Sequence, residues 1–395
     1  MAKRLAIPSK ELQLTVVGAR DSFKASRIQR VSLTTDIPVE DKDELGNSLH
    51  VGQSKDTPNI TLTFQAYDVG IKTIAALTGV DPAAYPASGV SLNLLGEMDA
   101  ILKVKDPDTA VYVKSAHAKR LQIRDYAFNY SVDGDSTEEY TAVGSEKRWF
   151  RYDVVVDKFV SGTTSFTLTK TPIQLKNGRW GLSVILDGHY LDEVTGAPAT
   201  GQYRIVGTTL TTGDSRTAQV QVVYHSNSGA AWTDVNDVAA GPAAIKGKDV
   251  NLLISAGEIP RVQSVTINGN LNTQPVKELG NRNIVGYQKQ VPTIEGTITV
   301  LDTDYDLISL LTYGVVGSGI EWQPGEGCVA SGLPLKIRLV DPCGPEAPDV
   351  VLKTIYLSSI VVVGDAFTSN VNNNATQTFN FRSSDANVVV FSGSY

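Results

Sequence analysis

The sequence predicts a mostly β protein built on a repeated unit, and three observations carry that prediction. Apolar and polar residues alternate with period two over much of the chain, turn dipeptides separate those runs, and helical periodicity is confined to two short stretches. Alternating runs at 12–16, 60–64, 104–113 and 166–169 read as strands with one buried face. The runs at 219–224, 294–300 and 376–381 read the same way, and their Thr and Val content suits a pleated, half-buried surface. Asp133 with Gly134, Asn177 with Gly178, Asp187 with Gly188 and Asn268 with Gly269 are turn pairs. The first helix is expected at 68–78, capped by Asp68, with Ile71, Ile74 and Leu77 as its apolar stripe. Its twin is expected at 302–312, capped by Asp304, with Leu307, Ile308 and Leu311.

The repeat is visible without a gap. Positions 27–78 set against 261–312, a spacing of 234 (27 to 261), are identical at 17 of 52 places. Typical composition gives about 6% by chance, so the match is a true internal repeat. Glu44, Leu45, Gly46 and Asn47 fall on Glu278, Leu279, Gly280 and Asn281, Lys55 falls on Lys289, and Asp68 falls on Asp302. Residues 161–247 have no counterpart in either copy but carry their own alternation and turns. The organisation expected is therefore a first unit at 1–160, an inserted small Ig-like β-sandwich at 161–247, and a second unit at 248–395. The Gly-, Ala-, Ser- and Asn-rich stretch 226–248 reads as the return linker.

Composition narrows the function. The 395 residues are 42% hydrophobic and 19% charged, enough to bury a core. The net charge of −7 offers no basic footprint for gripping nucleic acid. No run approaches the ~18 apolar residues of a membrane span, and the opening residues lack the apolar core of a signal peptide, which points to folding in a cytoplasm.

The search for chemistry points away from an enzyme. Residues 241–249 resemble a phosphate loop, but the spacing is one residue too long and Asp249 stands where Ser or Thr is needed. Asp133, Asp135, Glu138 and Glu139 could offer oxygen ligands to Ca²⁺, yet a hairpin turn with a solvated charge cluster fits better. Cys328 and Cys343 could pair or stay reduced. His50, His117, His189 and His225 share no metal or triad spacing and read as ordinary surface or strand histidines, and Lys119 with Arg120 as a solvated strand end. No catalytic, cofactor or metal residue is expected.

Two architectural features remain. One is a long polar loop in each repeat, at 36–54 and 270–288, holding Glu44, Leu45, Gly46 and Asn47 in the first copy and Glu278, Leu279, Gly280 and Asn281 in the second. Loops that long without structure of their own usually serve binding. The plainer alternative is that Leu45 and Leu279 tuck back while Gly46 and Gly280 make left-handed turns. The other feature is a strand-rich unit beside one helix, which leaves sheet edges to be covered or paired; pairing between subunits would build a closed ring.

These residues resemble the tail tube proteins of tailed bacteriophages. The late strand pair of that family is matched by Val132, Asp133, Gly134, Asp135, Thr137, Glu138, Val143 and Gly144. The second copy departs, with Gly364 and Asp365 followed by Asn372, Asn373 and Asn374. The resemblance covers about three-quarters of the chain. It implies two tube-type β-sandwich or barrel domains, each with a flanking helix, forming trimeric, pseudo-hexameric rings that stack into a hollow virion tail, assembled in the host cytoplasm. The partners it implies are the chain itself, a tape-measure protein, a sheath protein if the tail contracts, and DNA passing through the lumen without specific binding. A baseplate or host-surface-binding component is the alternative. A carbohydrate-acting β enzyme, which would need paired carboxylates in a cleft, ranks third.

Overall fold

The computed structural model describes residues 12–393 apart from 20, 26, 46–49, 68–69, 81–87, 107–111, 160–162, 177, 215–218, 228–244, 256, 282, 302–307, 312–320, 322–331, 342–349, 370 and 372–373. Among the described residues it is mostly β, 63% strand against 6% helix.

The chain opens with β1 (Leu12–Val17), β2 (Ser22–Lys24), β3 (Ile28–Asp36), β4 (Val39–Lys42), β5 (Gly52–Lys55) and β6 (Asn59–Tyr67). Helix α1 (Lys72–Thr78) follows, then β7 (Val90–Ser91), β8 (Glu97–Lys105), β9 (Tyr112–Ser131), β10 (Thr137–Gly144) and β11 (Glu146–Phe150). The strict alternation of β6 sends Ile60, Leu62, Phe64 and Ala66 into the core, and β10 answers with Tyr140 and Ala142. Strand β6 lies between β3 and β10, and β10 lies against β9.

Next come β12 (Asp153–Phe159), β13 (Ser165–Thr167), β14 (Ser183–Leu186), β15 (His189–Tyr190), β16 (Asp192–Glu193), β17 (Gln202–Val206), β18 (Thr209–Thr212) and β19 (Val220–Ser226). They form two four-stranded sheets, β12-β19-β14-β15 and β13-β18-β17-β16. Both sheets feed one apolar cluster that includes Phe166, Leu182, Tyr203, Leu210 and Tyr224, with Trp180 half-buried against it. The first of these sheets takes in β12, ahead of residue 161.

The last stretch holds β20 (Val250–Ile254), β21 (Gly257–Glu258), β22 (Val262–Asn270), β23 (Thr273–Val276), β24 (Gly286–Lys289) and β25 (Thr293–Leu301). Strands β26 (Leu333–Val340), β27 (Val351–Thr368), β28 (Thr376–Ser383) and β29 (Val389–Ser392) complete it. Pairing details recur between the first and last stretches. Arg27 (φ 58°) and Arg261 (φ 59°) adopt the left-handed conformation ahead of β3 and β22. A bulge then slips the register between Ile28 and Arg30 against β6, and between Val262 and Ser264 against β25. Strand β9 bulges at Arg124 against β10, and β27 bulges at Val363 against β28. Each extra residue bends its strand and increases the local twist.

Several sequence expectations are corrected. The run 104–113 is not one strand: β8 ends at Lys105 and β9 opens at Tyr112, with Val104 opposite Lys114. Helix α1 starts later than expected, with Ile71 at its N-cap and no side-chain cap; Asp68 lies outside the described residues. Of the twin helix, residues 308–311 are helical and Asp304 lies outside the description. Cys328 and Cys343 lie outside it too. Asn268 and Gly269 make no turn but sit inside β22, where Gly269 faces Tyr126 of β9. A Cβ on Gly269 would lie 2.1 Å from Tyr126 Cζ, so here glycine makes room for a ring. Lys119 and Arg120 are no strand end but lie within β9, Lys119 donating to the Leu182 carbonyl at 2.7 Å and Arg120 pairing with Glu97 at 3.3 Å.

Candidate functional site: two β-hairpin arms

The two long loops are not structureless. In the first, β4 pairs with β5 from Val39 opposite Lys55 to Lys42 opposite Gly52. In the second, β23 pairs with β24 from Thr273 opposite Lys289 to Val276 opposite Gly286. Matching backbone bonds close them, Val51 N–H to the Lys42 carbonyl (2.8 Å) and Val285 N–H to the Val276 carbonyl (3.0 Å). The polarity that reads as loop in the sequence arises because both faces of the first ribbon meet solvent, while the second is only half-buried at Thr273, Gly286 and Tyr287. Alternation signals a strand only where one face is buried.

Beyond these ribbons lie the predicted residues. Leu45 is 107% exposed and Leu279 106%, so neither tucks back. Glu44 and Glu278 are exposed beside them. Gly280 has φ +83° and Asn281 N–H bonds to the Glu278 carbonyl at 3.2 Å, which closes the second tip as a tight turn. Gly46 and Asn47 lie outside the described residues. Among the described residues no hydrogen bond or ion pair links Glu44 and Leu45 to residues 278–281.

The arms differ in charge and anchoring. The first carries Glu40, Asp41, Asp43 and Glu44, all exposed, with His50 Nδ1 2.5 Å from Asp43 and Gln53 donating to Asp41 at 2.8 Å. The second is docked on the opening stretch of the chain. Lys289 Nζ donates to the carbonyls of Asn93 (3.0 Å) and Leu95 (2.5 Å), and Ile284 N–H donates to Ser145 Oγ (2.9 Å). Burial of Lys289 lowers its pKa. The arms also touch where Lys277, just past the distal end of β23, lies 3.6 Å from Asp56 at the base of the first arm. The Thr57 backbone N–H, then Lys277, lowers the Asp56 pKa.

Two further groupings escape sequence reasoning. Asp99, His117 and His225 form a buried chain, Asp99 Oδ2 to His117 Nε2 at 2.7 Å and His117 Nδ1 to His225 Nε2 at 3.2 Å. His117 and His225 are strand histidines, of β9 and β19, but buried and linked to each other, which their sequence spacing does not show. Near them Lys103 donates to Asp153 Oδ1 at 2.8 Å, both buried, and Lys170 to Asp153 Oδ2 at 3.2 Å. Each group joins β8 or β9 to the smaller sheet β12-β19-β14-β15. With Asp99, His117 and His225 sealed from solvent, no substrate reaches the imidazoles, and the cluster works as a joint. The available signal was Asp99 and Lys103 standing among the apolar residues of β8. The second grouping is a shallow cleft of about 260 Å³ over the β9–β22 junction, lined by Asp125, Glu139 and Glu295 among others. Arg124 (2.8 Å) holds Asp125 and Arg382 (3.7 Å) holds Glu295, so two of the three carboxylates are already paired. Among the described residues no group of His, Cys, Asp and Glu is arranged to hold a metal ion.

Comparison with protein-family models finds none that matches this chain, and comparison with curated proteins finds no matching relative.

Proposed function

We propose that this chain is a self-assembling structural protein, the tail tube subunit of a tailed bacteriophage, that forms trimeric rings stacked into a conduit for the genome. The observation that carries the reading is the pair of ordered hairpin arms, each displaying a fully exposed leucine. An isolated leucine on a protruding ribbon loses contact with water only by docking elsewhere, and burying it is worth about 2 kcal/mol. The recurring left-handed arginines and bulges support two copies of one tube-type domain, six per trimer. The two small sheets around one apolar cluster support the inserted Ig-like sandwich. The arms then bridge successive rings, with a tape-measure protein inside and, in a contractile tail, a sheath outside. The net charge of −7 suits a wall that DNA passes without being held by phosphate contacts.

Negative-stain electron microscopy of purified protein tests this. Regular tubes with three subunits per ring are expected. Six subunits per ring would overturn the trimer, and discrete particles that bind cells would favour the baseplate or host-binding alternative.

A further inference from the structure

The junction between β9 and β22 inside one chain is a template for a junction between chains. Within the chain, residues Asp125 to Ser131 of β9 pair antiparallel with Asn270 to Ser264 of β22, which places Phe128 opposite Ile267. Both of these side chains are fully buried. The counterparts of the two strands follow from shared pairing. Strand β22 meets β25 as β3 meets β6, with Val265 opposite Ile298 and Val31 opposite Phe64, 234 residues earlier (265 to 31). Strand β9 meets β10 as β27 meets β28, with Tyr126 opposite Tyr140 and Asp365 opposite Phe379, 239 residues later (126 to 365).

These counterparts do not pair with each other within the chain. Among the described residues, β3 pairs with β6 alone, and β27 beyond Val361 pairs with β28 alone. Two open strand edges remain, and open edges recruit further strands. Phe367, the counterpart of the buried Phe128, is 59% exposed.

We propose that residues 364–368 of β27 in one copy pair antiparallel with residues 36–32 of β3 in a second copy. Phe367 then stands opposite Leu33 as Phe128 stands opposite Ile267. The inference rests on the self-association in the reading above, and on nothing specific to a virion. The side chains along it are complementary in size. Where β9 presents the large Tyr126, β22 presents Gly269; where β27 presents the smaller Asp365, β3 presents Thr35. The same transfer sets the first arm on the second copy as the second arm sits on its own chain, with exposed Lys55 in the role of Lys289 and His50 N–H facing Ser384 in the role of Ile284 and Ser145. The two edges differ, so the contact is head-to-tail and propagates until it closes as a ring or extends as a filament.

Cysteine pairing tests the register. In a C328S/C343S background, Thr34→Cys protein is mixed with Ala366→Cys protein under mild oxidation, because these positions lie directly opposite in the proposed seam. Disulfide-linked heterodimers are expected from that mixture. None is expected when Ala366→Cys is replaced by Asp365→Cys, since neighbouring residues point to opposite faces. Oligomers that form without this pattern overturn the seam and leave self-association standing. A protein monomeric at all concentrations by light scattering overturns both. Hydrogen exchange of the unmodified protein provides a second reading: amides of 32–36 and 364–368 should slow together on assembly, and unchanged rates in assembled material would overturn the pairing.

Discussion

His117 Nδ1 lies 3.2 Å from His225 Nε2 with both rings buried, a separation that accommodates one shared proton and not two cations. Asp99 sits on the far side of His117 and also receives the Tyr190 hydroxyl (2.8 Å) and the Arg120 N–H (2.9 Å). Burial pushes the Asp99 carboxyl up, but the His117 charge and hydrogen bond with the Arg120 N–H outweigh it and hold the pKa at about 2. Burial, followed by the positive charges of His117, Arg148 and Lys119, drives His225 well below the ordinary histidine value. Phe150 stacks on its ring at 3.6 Å.

Acid should therefore weaken the fold in two stages. Folded His225 stays neutral while the unfolded chain takes up a proton, so stability falls as pH drops below about 6.5. The slope approaches about 1.4 kcal/mol per pH unit for one group. Asp99, lowered in the folded state, adds its loss as pH falls from 3.8 to about 2. Thermal melts between pH 7 and 5 should show the first stage, and His225→Gln should flatten it. An equal slope in that variant would place the effect elsewhere.

The buried Lys103–Asp153 pair ties β8 to β12. Asp153→Ala leaves Lys103 and Lys170 facing a missing carboxylate, and should cost about 3–5 kcal/mol in urea denaturation. The loss should change little with salt, because water and ions do not reach the pair.

Gly269→Val should cost about 1–3 kcal/mol by forcing Tyr126 out of its place across β22. Adding Tyr126→Ala should recover part of that loss, a coupling that a double-mutant cycle reads directly.

Leu45→Ser with Leu279→Ser should leave stability within about 0.5 kcal/mol, because neither side chain touches its own fold. Sedimentation and negative stain should nevertheless show loss of long assemblies. Removal of 40–48 and 274–282 should do the same while leaving soluble folded protein.

The strands with one buried face were legible. Alternation in β6, β25 and β28 marks each residue by its solvent exposure, and the structure repeats that marking residue by residue. A hairpin arm wet on both faces, β4 with β5, or one half-buried at a few positions, β23 with β24, leaves no such mark, so all four read as loop. The Asn268–Gly269 pair carries a turn signature, yet here the glycine answers a ring on another strand. No local rule contains that ring.

By itself, the sequence determined the β class, the 234-residue self-similarity and the identity of the matched residues Glu44, Leu45, Glu278 and Leu279. All of these are written in local pattern or in self-similarity along the chain. Only the tertiary structure decided that Leu45 and Leu279 stand exposed to solvent, that Asp99, His117 and His225 converge, and that β9 accepts β22 while, among the described residues, β3 and the end of β27 stay open. Those outcomes depend on which distant backbones lie side by side, and hydrogen-bonding groups on an edge are the same whatever strand they finally meet.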